Sequence, residues 1–146
     1  MDEPRIVGKV VAYITRGGRL LVFRQPASPE AGIQVPVGTM EPGETPSQAV
    51  LREAEEETGL RDLRIAAFLG TQDFDLRRWG RNIIHRRHFF HLVLESDAPD
   101  TWRHWERSPS EGDVAELEYA HFWVSMPDDI PDLAGAQDTF LHLVPV

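Results

Sequence analysis

Short apolar runs, several of them rich in valine, occur along the chain and are separated by polar segments that contain glycine or proline. Runs of this length and composition are typical of β-strands. The first two, at residues 5–15 and 19–25, flank Gly17 and Gly18, which favours a β-hairpin. The same reasoning predicts a short strand around 33–35 and longer strands at 63–73, 83–94 and 117–125. Residues 96–116 are polar and predict a long connection.

One segment predicts a helix whose two ends are both encoded in the sequence. Thr45 is a good N-cap, Pro46 suits the first helical position, and Gln48 stands where a capping box requires Glu or Gln. Gly59 supplies the residue with positive φ that ends the helix. Near the end of the chain, residues 133–143 have the pattern of a second, amphipathic helix. Strands combined with two helices predict an α/β fold.

The first predicted helix carries four glutamates within five residues, Glu53, Glu55, Glu56 and Glu57. At about 100° per residue, Glu56 and Glu57 lie on either side of Glu53, whereas Glu55 points almost the opposite way, to solvent. Like charges at this spacing each cost an isolated helix about 0.2–0.5 kcal/mol. Their clustering beside an apolar stripe indicates a bound cation, and oxygen ligands favour Mg²⁺ or Mn²⁺. From this spacing alone, the alternative is a solvated acidic face.

The composition predicts one domain and argues against several classes of protein. A length of 146 residues, with 41% hydrophobic and 27% charged residues, is typical of a single globular domain over residues 1–146. We expect a cytoplasmic protein, because the sequence has no apolar run near the ~18 residues of a membrane span, no signal-peptide pattern and no cysteine. The net charge of −9 argues against nucleic-acid binding through a basic surface.

Residues 38–60, GTMEPGETPSQAVLREAEEETGL, contain a wider pattern of fixed positions. A glycine is followed after five residues by a glutamate, and after seven more by an Arg-Glu pair, a Glu-Glu pair, a glycine and an aliphatic residue. This arrangement resembles the Nudix box, and every charged and glycine position matches. The one departure is Ala54, where a larger aliphatic residue is more usual, and it concerns packing rather than chemistry. The chain is therefore similar to the Nudix hydrolases.

The resemblance implies a fold and a reaction. The fold is an α/β/α sandwich around a mixed β-sheet, with the box as loop–helix–loop and a helix at the C-terminal end. The reaction is hydrolysis of a diphosphate bond in a nucleoside diphosphate linked to another moiety, by water that attacks phosphorus beside Mg²⁺ or Mn²⁺ held by glutamates. The alternative is a Nudix-fold nucleotide-binding or regulatory module without turnover, although such modules normally lack box carboxylates.

The partners implied by the resemblance are small molecules above all. The first is a nucleotide or nucleotide derivative. Nucleic acid is not expected as a partner, with the exception of a capped or triphosphorylated RNA end, and a homodimer is a further expectation. No membrane partner is implied. The subfamily, and with it the particular nucleotide, stays open.

The resemblance also implies roles for individual residues. The metal ligands are Gly38, through its backbone carbonyl, and Glu53, Glu56 and Glu57. Catalysis is assigned to Glu53, Glu56, Arg52 and Glu44. Glu53 is the first choice for the general base, while Arg52 and Glu44 orient the carboxylates.

Further candidates lie outside the box. A general base can sit on a loop in this family, and four glutamates can fill that role or add a metal ligand: Glu106, Glu111, Glu116 and Glu118. Three arginines are candidates for contacts with substrate phosphate: Arg24, Arg78 and Arg87. The alternative for each arginine is an ordinary solvated side chain on a strand or loop.

Overall fold

The computed structural model describes residues 2–106 and 117–146. In this part of the chain, the strands are β1 Arg5–Arg16, β2 Arg19–Arg24, β3 Val37–Thr39, β4 Leu63–Asp75, β5 Ile83–Leu94, β6 Thr101–Glu106 and β7 Leu117–Ser125, and the helix α1 is Pro46–Thr58. The seven strands form one sheet in the order β4-β5-β1-β2-β7-β6, with β3 paired to β1. Because β1 and β5 run parallel while the other neighbours are antiparallel, the sheet is mixed, as predicted.

Strand β1 lies in the interior of the sheet, and both of its faces are covered. Val10, Ala12 and Ile14 pack on the side of α1, whereas Val11 and Tyr13 pack on the side of the C-terminal segment. A strand that is buried on both faces carries apolar residues at successive positions, which explains its continuous apolar run. The predicted hairpin is confirmed, and so are the three longer strands that follow it.

Helix α1 has the ends that the sequence predicted. The Gln48 amide donates to Thr45 Oγ1 at 3.2 Å, and the Thr45 amide donates to Gln48 Oε1 at 3.0 Å, which completes the capping box. Gly59 ends the helix with φ of 77°. Val50 and Ala54 are fully buried against the sheet. The small side chain of Ala54 therefore fits a close contact, and its departure from the usual box pattern is a matter of packing.

The predicted C-terminal helix is wrong. Residues 133–143 instead contain two 3₁₀ turns, Ala134–Ala136 and Leu141–Leu143. Gly135 and Ala136 have φ of 58° and 57°, which a right-handed helix does not accept. The Tyr13 hydroxyl donates to the backbone carbonyl of Gln137 and holds the segment on the sheet. Within the described residues, no helix is long and apolar enough to cross a membrane.

Two other local predictions need correction. The polar segment at 96–116 is not only a connection, because its residues Thr101–Glu106 form β6 and pair with β7. Residues 107–116 lie outside the described part of the chain. The short strand predicted around 33–35 is found at Val37–Thr39, and Ile33 and Gln34 form only isolated bridges.

Strand β3 passes close to α1, and Gly38 is the point of contact. Gly38 pairs with Val10 of β1, and a Cβ atom added to it would overlap the carboxylate of Glu53. Gly8 on β1 is a useful comparison, since a Cβ there would meet Met40 Sδ at 2.9 Å. The end of a methionine side chain can move aside, whereas Glu53 is buried. The close approach of β3 and α1 thus requires glycine at residue 38.

We predict that Gly38→Ala destabilises the fold by about 1–3 kcal/mol, the usual cost of overpacking a buried contact. Chemical denaturation monitored by circular dichroism measures this loss. Gly8→Ala is the matched control and should cost clearly less, because only the Met40 side chain has to adjust. Equal stabilities of Gly38→Ala and the wild type would contradict the close contact between β3 and Glu53.

Candidate metal centre and substrate cavity

Three carboxylates converge where the face of α1 meets the end of β6. Glu53 and Glu56 of α1 and Glu106 of β6 each offer a carboxylate oxygen, and these oxygens lie within 4.8 Å of one another. Glu106 also accepts a hydrogen bond from the Tyr119 hydroxyl at 2.7 Å. Two elements that are distant in the sequence therefore meet at one acidic cluster.

Two carboxylates of α1, Glu53 and Glu57, are buried, and burial disfavours their charged forms. Glu53 is 6% exposed and Glu57 only 3%. Burial raises the pKa of Glu53 to about 7, with a smaller contribution from Glu56. It raises the pKa of Glu57 well above the usual range, and the neighbouring Glu53 and Glu106 raise it further. Within the described residues, Glu57 Oε2 is buried without a hydrogen-bond partner.

These observations test whether the residues fit a divalent cation. The donor set consists of oxygens, as a hard cation requires. One buried carboxylate oxygen of Glu57 lacks a protein partner in the described part of the chain, and the backbone of Gly38 lies directly against Glu53. A cation would supply the missing partner and would offset the repulsion between Glu53, Glu57 and Glu106. The residues fit.

Arg52 supports the cluster with all five of its N–H groups. Nε and Nη2 donate to the Glu44 carboxylate at 2.6 and 2.9 Å, and Nη2 also donates to the Thr39 carbonyl at 2.9 Å. Nη1 donates to Glu53 at 3.0 Å and to Glu56 at 3.2 Å. These hydrogen bonds lower the pKa of Glu44 to about 2 and raise the pKa of Arg52. The Arg52 guanidinium thus connects the loop that contains Glu44 to the carboxylates of Glu53 and Glu56.

The other glutamates that the sequence singled out have different positions. Glu118 forms an ion pair with Arg103 at 3.1 Å, and alternation along β7 directs it away from the face on which Tyr119 contacts Glu106. Glu111 and Glu116 lie outside the described residues. Glu55 is half-buried rather than fully solvated, and it lines a depression together with Arg52, Glu56 and His104.

A cavity of about 280 Å³ opens beside the cluster. It is lined by Lys9, Gln34, Val37, Glu53, His85, Arg87, Glu106, Leu117, Tyr119 and Gln137. Glu53 and Glu106 contribute negative charge to its wall, whereas Lys9 and Arg87 contribute positive charge from neighbouring strands. Cationic and anionic groups therefore line the same cavity.

Arg87 is a buried guanidinium, 6% exposed, that belongs to none of the ion pairs in the described residues. Its Nη1 donates to the Gly135 carbonyl, and its Nε has no hydrogen-bond partner there. Burial lowers its pKa. The guanidinium carbon lies 4.0 Å from the centre of the Phe74 ring. A buried cation without a carboxylate partner is suited to an anionic ligand.

Two stacked rings, with a cation at each end, continue from Arg87 toward the surface. Phe74 stacks on Trp79 with 5.5 Å between ring centres, and the Arg78 guanidinium lies 4.9 Å from the Trp79 ring. Trp79 is 58% exposed. Arg78, like Arg87, belongs to none of the ion pairs between described residues. We call the side chains of Arg87, Phe74, Trp79 and Arg78 the aromatic row.

Arg24 is not brought to this cavity. Its guanidinium lies 4.8 Å from the Phe122 ring, and both residues line a separate depression with Arg103. Its predicted contact with substrate phosphate therefore stays a prediction, without a place at the acidic cluster. The sequence did not point to Lys9, Gln137 or Tyr119, because only the pairing of distant strands and the path of the C-terminal segment bring them to the cavity.

Comparison with known proteins agrees with this geometry. The family model described as NUDIX domain matches residues 5–144. A MutT NUDIX hydrolase from Burkholderia pseudomallei is 26% identical, with a TM-score of 0.63 over 97% of this chain and 99% of that one. A MutT protein from Methanosarcina mazei Go1 is 20% identical, with a TM-score of 0.61 over 97% and 95% of the two chains.

A UDP-X diphosphatase shares the fold at 19% identity, with a TM-score of 0.64 over 98% of this chain. The match covers 63% of that protein, so this chain spans less than two thirds of its length. The family match, in contrast, extends over nearly all of this chain. The chain therefore belongs to the NUDIX domain family.

Proposed function

We propose that the protein hydrolyses a diphosphate bond in a nucleoside diphosphate linked to another moiety, and that Mg²⁺ or Mn²⁺ is required. The observation that carries this proposal is the distribution of charge in one cavity. Carboxylates suited to a cation and the buried Arg87 line the same space of about 280 Å³. A diphosphate binds both kinds of group, because its oxygens accept from guanidinium and ligate hard cations.

The proposed metal ligands are the Gly38 carbonyl and the carboxylates of Glu53, Glu56 and Glu57, with Glu106 as an added ligand. When bound, a divalent cation neutralises the oxygens of a diphosphate and lowers the pKa of water. The chain itself supplies the arrangement of oxygens, since Glu53, Glu56 and Glu106 already lie close together. Such preorganisation reduces the cost of assembling the site.

Glu53 is the proposed general base. Its carboxylate lines the cavity and is held by Arg52 Nη1 at 3.0 Å, so it has both access to water and a fixed orientation. Arg52 and Glu44 act through the carboxylates that they orient. Glu106 is the second candidate for the base, because it lines the same cavity and is held by the Tyr119 hydroxyl.

We assign Arg87 to a substrate phosphate and the two rings of the aromatic row, Phe74 and Trp79, to the nucleoside. Arg87 lines the cavity, and a substrate oxygen would give its unpartnered Nε an acceptor. Phe74 lies against Arg87, and the exposed Trp79 lies against Phe74. A nucleobase stacked on Trp79 would thus lie near the phosphate site, with Arg78 available for a further anionic group. A capped or triphosphorylated RNA end has the same combination of ring and phosphates.

A nucleotide-binding module without turnover is the alternative function. The complete set of box carboxylates and their convergence with Glu106 favour the enzyme. A screen for hydrolysis distinguishes the two, using nucleoside triphosphates, dinucleoside polyphosphates, nucleotide sugars and capped RNA with Mg²⁺. Binding without any product in the entire screen would favour the module.

We predict that hydrolysis disappears in EDTA and returns with Mg²⁺ or Mn²⁺. Glu57→Gln should lower kcat by about 10²-fold or more, the scale of losing one electrostatic contact to the transition state. Glu55→Gln is the matched control and should leave kcat nearly unchanged, because helical geometry directs Glu55 away from Glu53 and its carboxylate does not belong to the converging group. Full turnover in chelator, or equal losses in the two variants, would contradict the assignment of the metal ligands.

We predict that Trp79→Ala raises KM for a nucleotide substrate by about tenfold, the scale of one base stacked on one aromatic ring. Its kcat should change little, because Trp79 is not among the residues that line the cavity beside Glu53 and Glu106. Trp105→Ala is the matched control: Trp105 is similarly exposed at 52%, but it lies on the face of β6 opposite to Glu106. Unchanged KM in Trp79→Ala would exclude the aromatic row as the nucleoside site.

A further inference from the structure

The last turn of α1 has an unusual set of hydrogen-bond partners. The last four carbonyls of an α-helix have no partner within the helix. Here the Glu55 carbonyl accepts from the Gly59 amide at 2.8 Å. The other three accept from side chains of the sheet: Glu56 from His104 Nε2 at 2.8 Å, Glu57 from His121 Nε2 at 2.9 Å and Thr58 from Trp102 Nε1 at 2.9 Å. A carbonyl only accepts, so each ring nitrogen donates.

The three donors come from β6, which carries Glu106, and from the neighbouring strand β7, whose Tyr119 donates to Glu106. Trp102 and His104 alternate with Glu106 along β6, so all three side chains point to the face that meets α1. His121 on β7 is opposite Trp102, and their rings stack with 5.0 Å between centres. We call Trp102, His104 and His121 the carbonyl clamp.

The carbonyl clamp opposes a repulsion within the acidic cluster. Glu106 carries the same charge as Glu53 and Glu56, so electrostatic repulsion acts against the approach of β6 to α1. Three ring N–H donors act in the opposite sense, because they attach β6 and β7 to the backbone of the same helix turn. His104 is two residues from Glu106 and contacts the backbone of Glu56 itself. The clamp thus fixes the distance between carboxylates that come from different elements.

We propose that Trp102, His104 and His121 are positioning residues, which hold β6 on the end of α1 so that Glu106 joins Glu53 and Glu56 at the metal site. This inference rests on the proposed function, since it concerns the same site. It also goes beyond the box, because none of the three residues belongs to residues 38–60. The clamp acts on the arrangement of the ligands and not on the substrate.

Direct binding of Mn²⁺ to the purified protein, measured from the electron paramagnetic resonance signal of free Mn²⁺, tests the proposal without turnover. Trp102→Phe removes one indole N–H and keeps a ring. We expect its Kd for Mn²⁺ to rise by roughly tenfold, the lower end of the effect of losing a partner that orients a metal ligand. His104→Ala should act in the same direction, and His104→Gln should restore affinity, because its amide again supplies an N–H.

Trp123→Phe is the matched control. The Trp123 indole N–H donates at 3.1 Å to the Pro99 carbonyl, which is not part of α1. This variant loses the same kind of hydrogen bond, and its Kd for Mn²⁺ should stay within about twofold of the wild type. An equal loss of affinity in Trp123→Phe and Trp102→Phe would overturn the proposal, since general destabilisation would then explain both. Unchanged affinity in Trp102→Phe and His104→Ala would overturn it directly.

A second variant asks whether the clamp acts through Glu106. In a Glu106→Gln background, we expect Trp102→Phe to have little further effect on the Kd for Mn²⁺, because the ligand that the clamp positions is already lost. A full additional loss in this background would overturn the role given to Glu106. A wild type that binds no Mn²⁺ would overturn the proposed function, and the inference would fail with it.

Discussion

The site depends on one guanidinium that uses all of its donors. Arg52 joins the Glu44 carboxylate, the Thr39 carbonyl, Glu53 and Glu56, and so connects the box loop to the buried face of α1. Repulsion between glutamates on one helix would otherwise spread their side chains. Because a guanidinium presents five N–H groups in a rigid fork, a lysine at this position would not make the same contacts. The fixed arrangement of the Glu44, Glu53 and Glu56 carboxylates follows from their hydrogen bonds to Arg52.

The chain combines a net negative charge with a proposed site for a negatively charged substrate, and two arrangements reconcile them. The net charge of −9 opposes the approach of a phosphate compound. A bound cation would offset the negative charge of the carboxylates. Arg87 and Arg78 are free of carboxylate partners among the described ion pairs, while their neighbours Arg86 and Arg77 are neutralised by Asp73 and Asp75. Positive charge is thereby concentrated along the aromatic row.

The sequence predicted those parts of the structure that depend on interactions between residues close together in the chain. The ends of α1 depend on Thr45, Gln48 and Gly59, which act on backbone groups within a few residues of themselves. The position of Glu106 depends instead on the pairing of β6 with β7, so the sequence could only offer it among four candidates. Residues 101–106 form an edge strand with one exposed face, and its many polar residues make such a strand resemble a connection in the sequence.

The C-terminal segment had a helical pattern of apolar residues but not a helical backbone. Gly135 and Ala136 adopt positive φ, and the apolar side chains of the segment still pack with Val11 and Tyr13 on the face of the sheet away from α1. Burial of an apolar face is thus compatible with more than one backbone path, and periodicity alone does not distinguish them. The Gln137 side chain accepts from the Val35 amide at 2.8 Å, a contact between distant residues that selects the observed path.

The central claim is that the carboxylates of α1 hold a cation, and thermal unfolding with increasing Mg²⁺ tests it most directly. A ligand that binds only the folded state adds about 2.7 kcal/mol at a hundredfold excess over Kd, which for a domain of this size is a rise of several degrees in Tm. We predict this rise in the wild type and in Glu55→Gln, and a much smaller one in Glu56→Gln. A full increment in Glu56→Gln, or none in the wild type, would contradict the account.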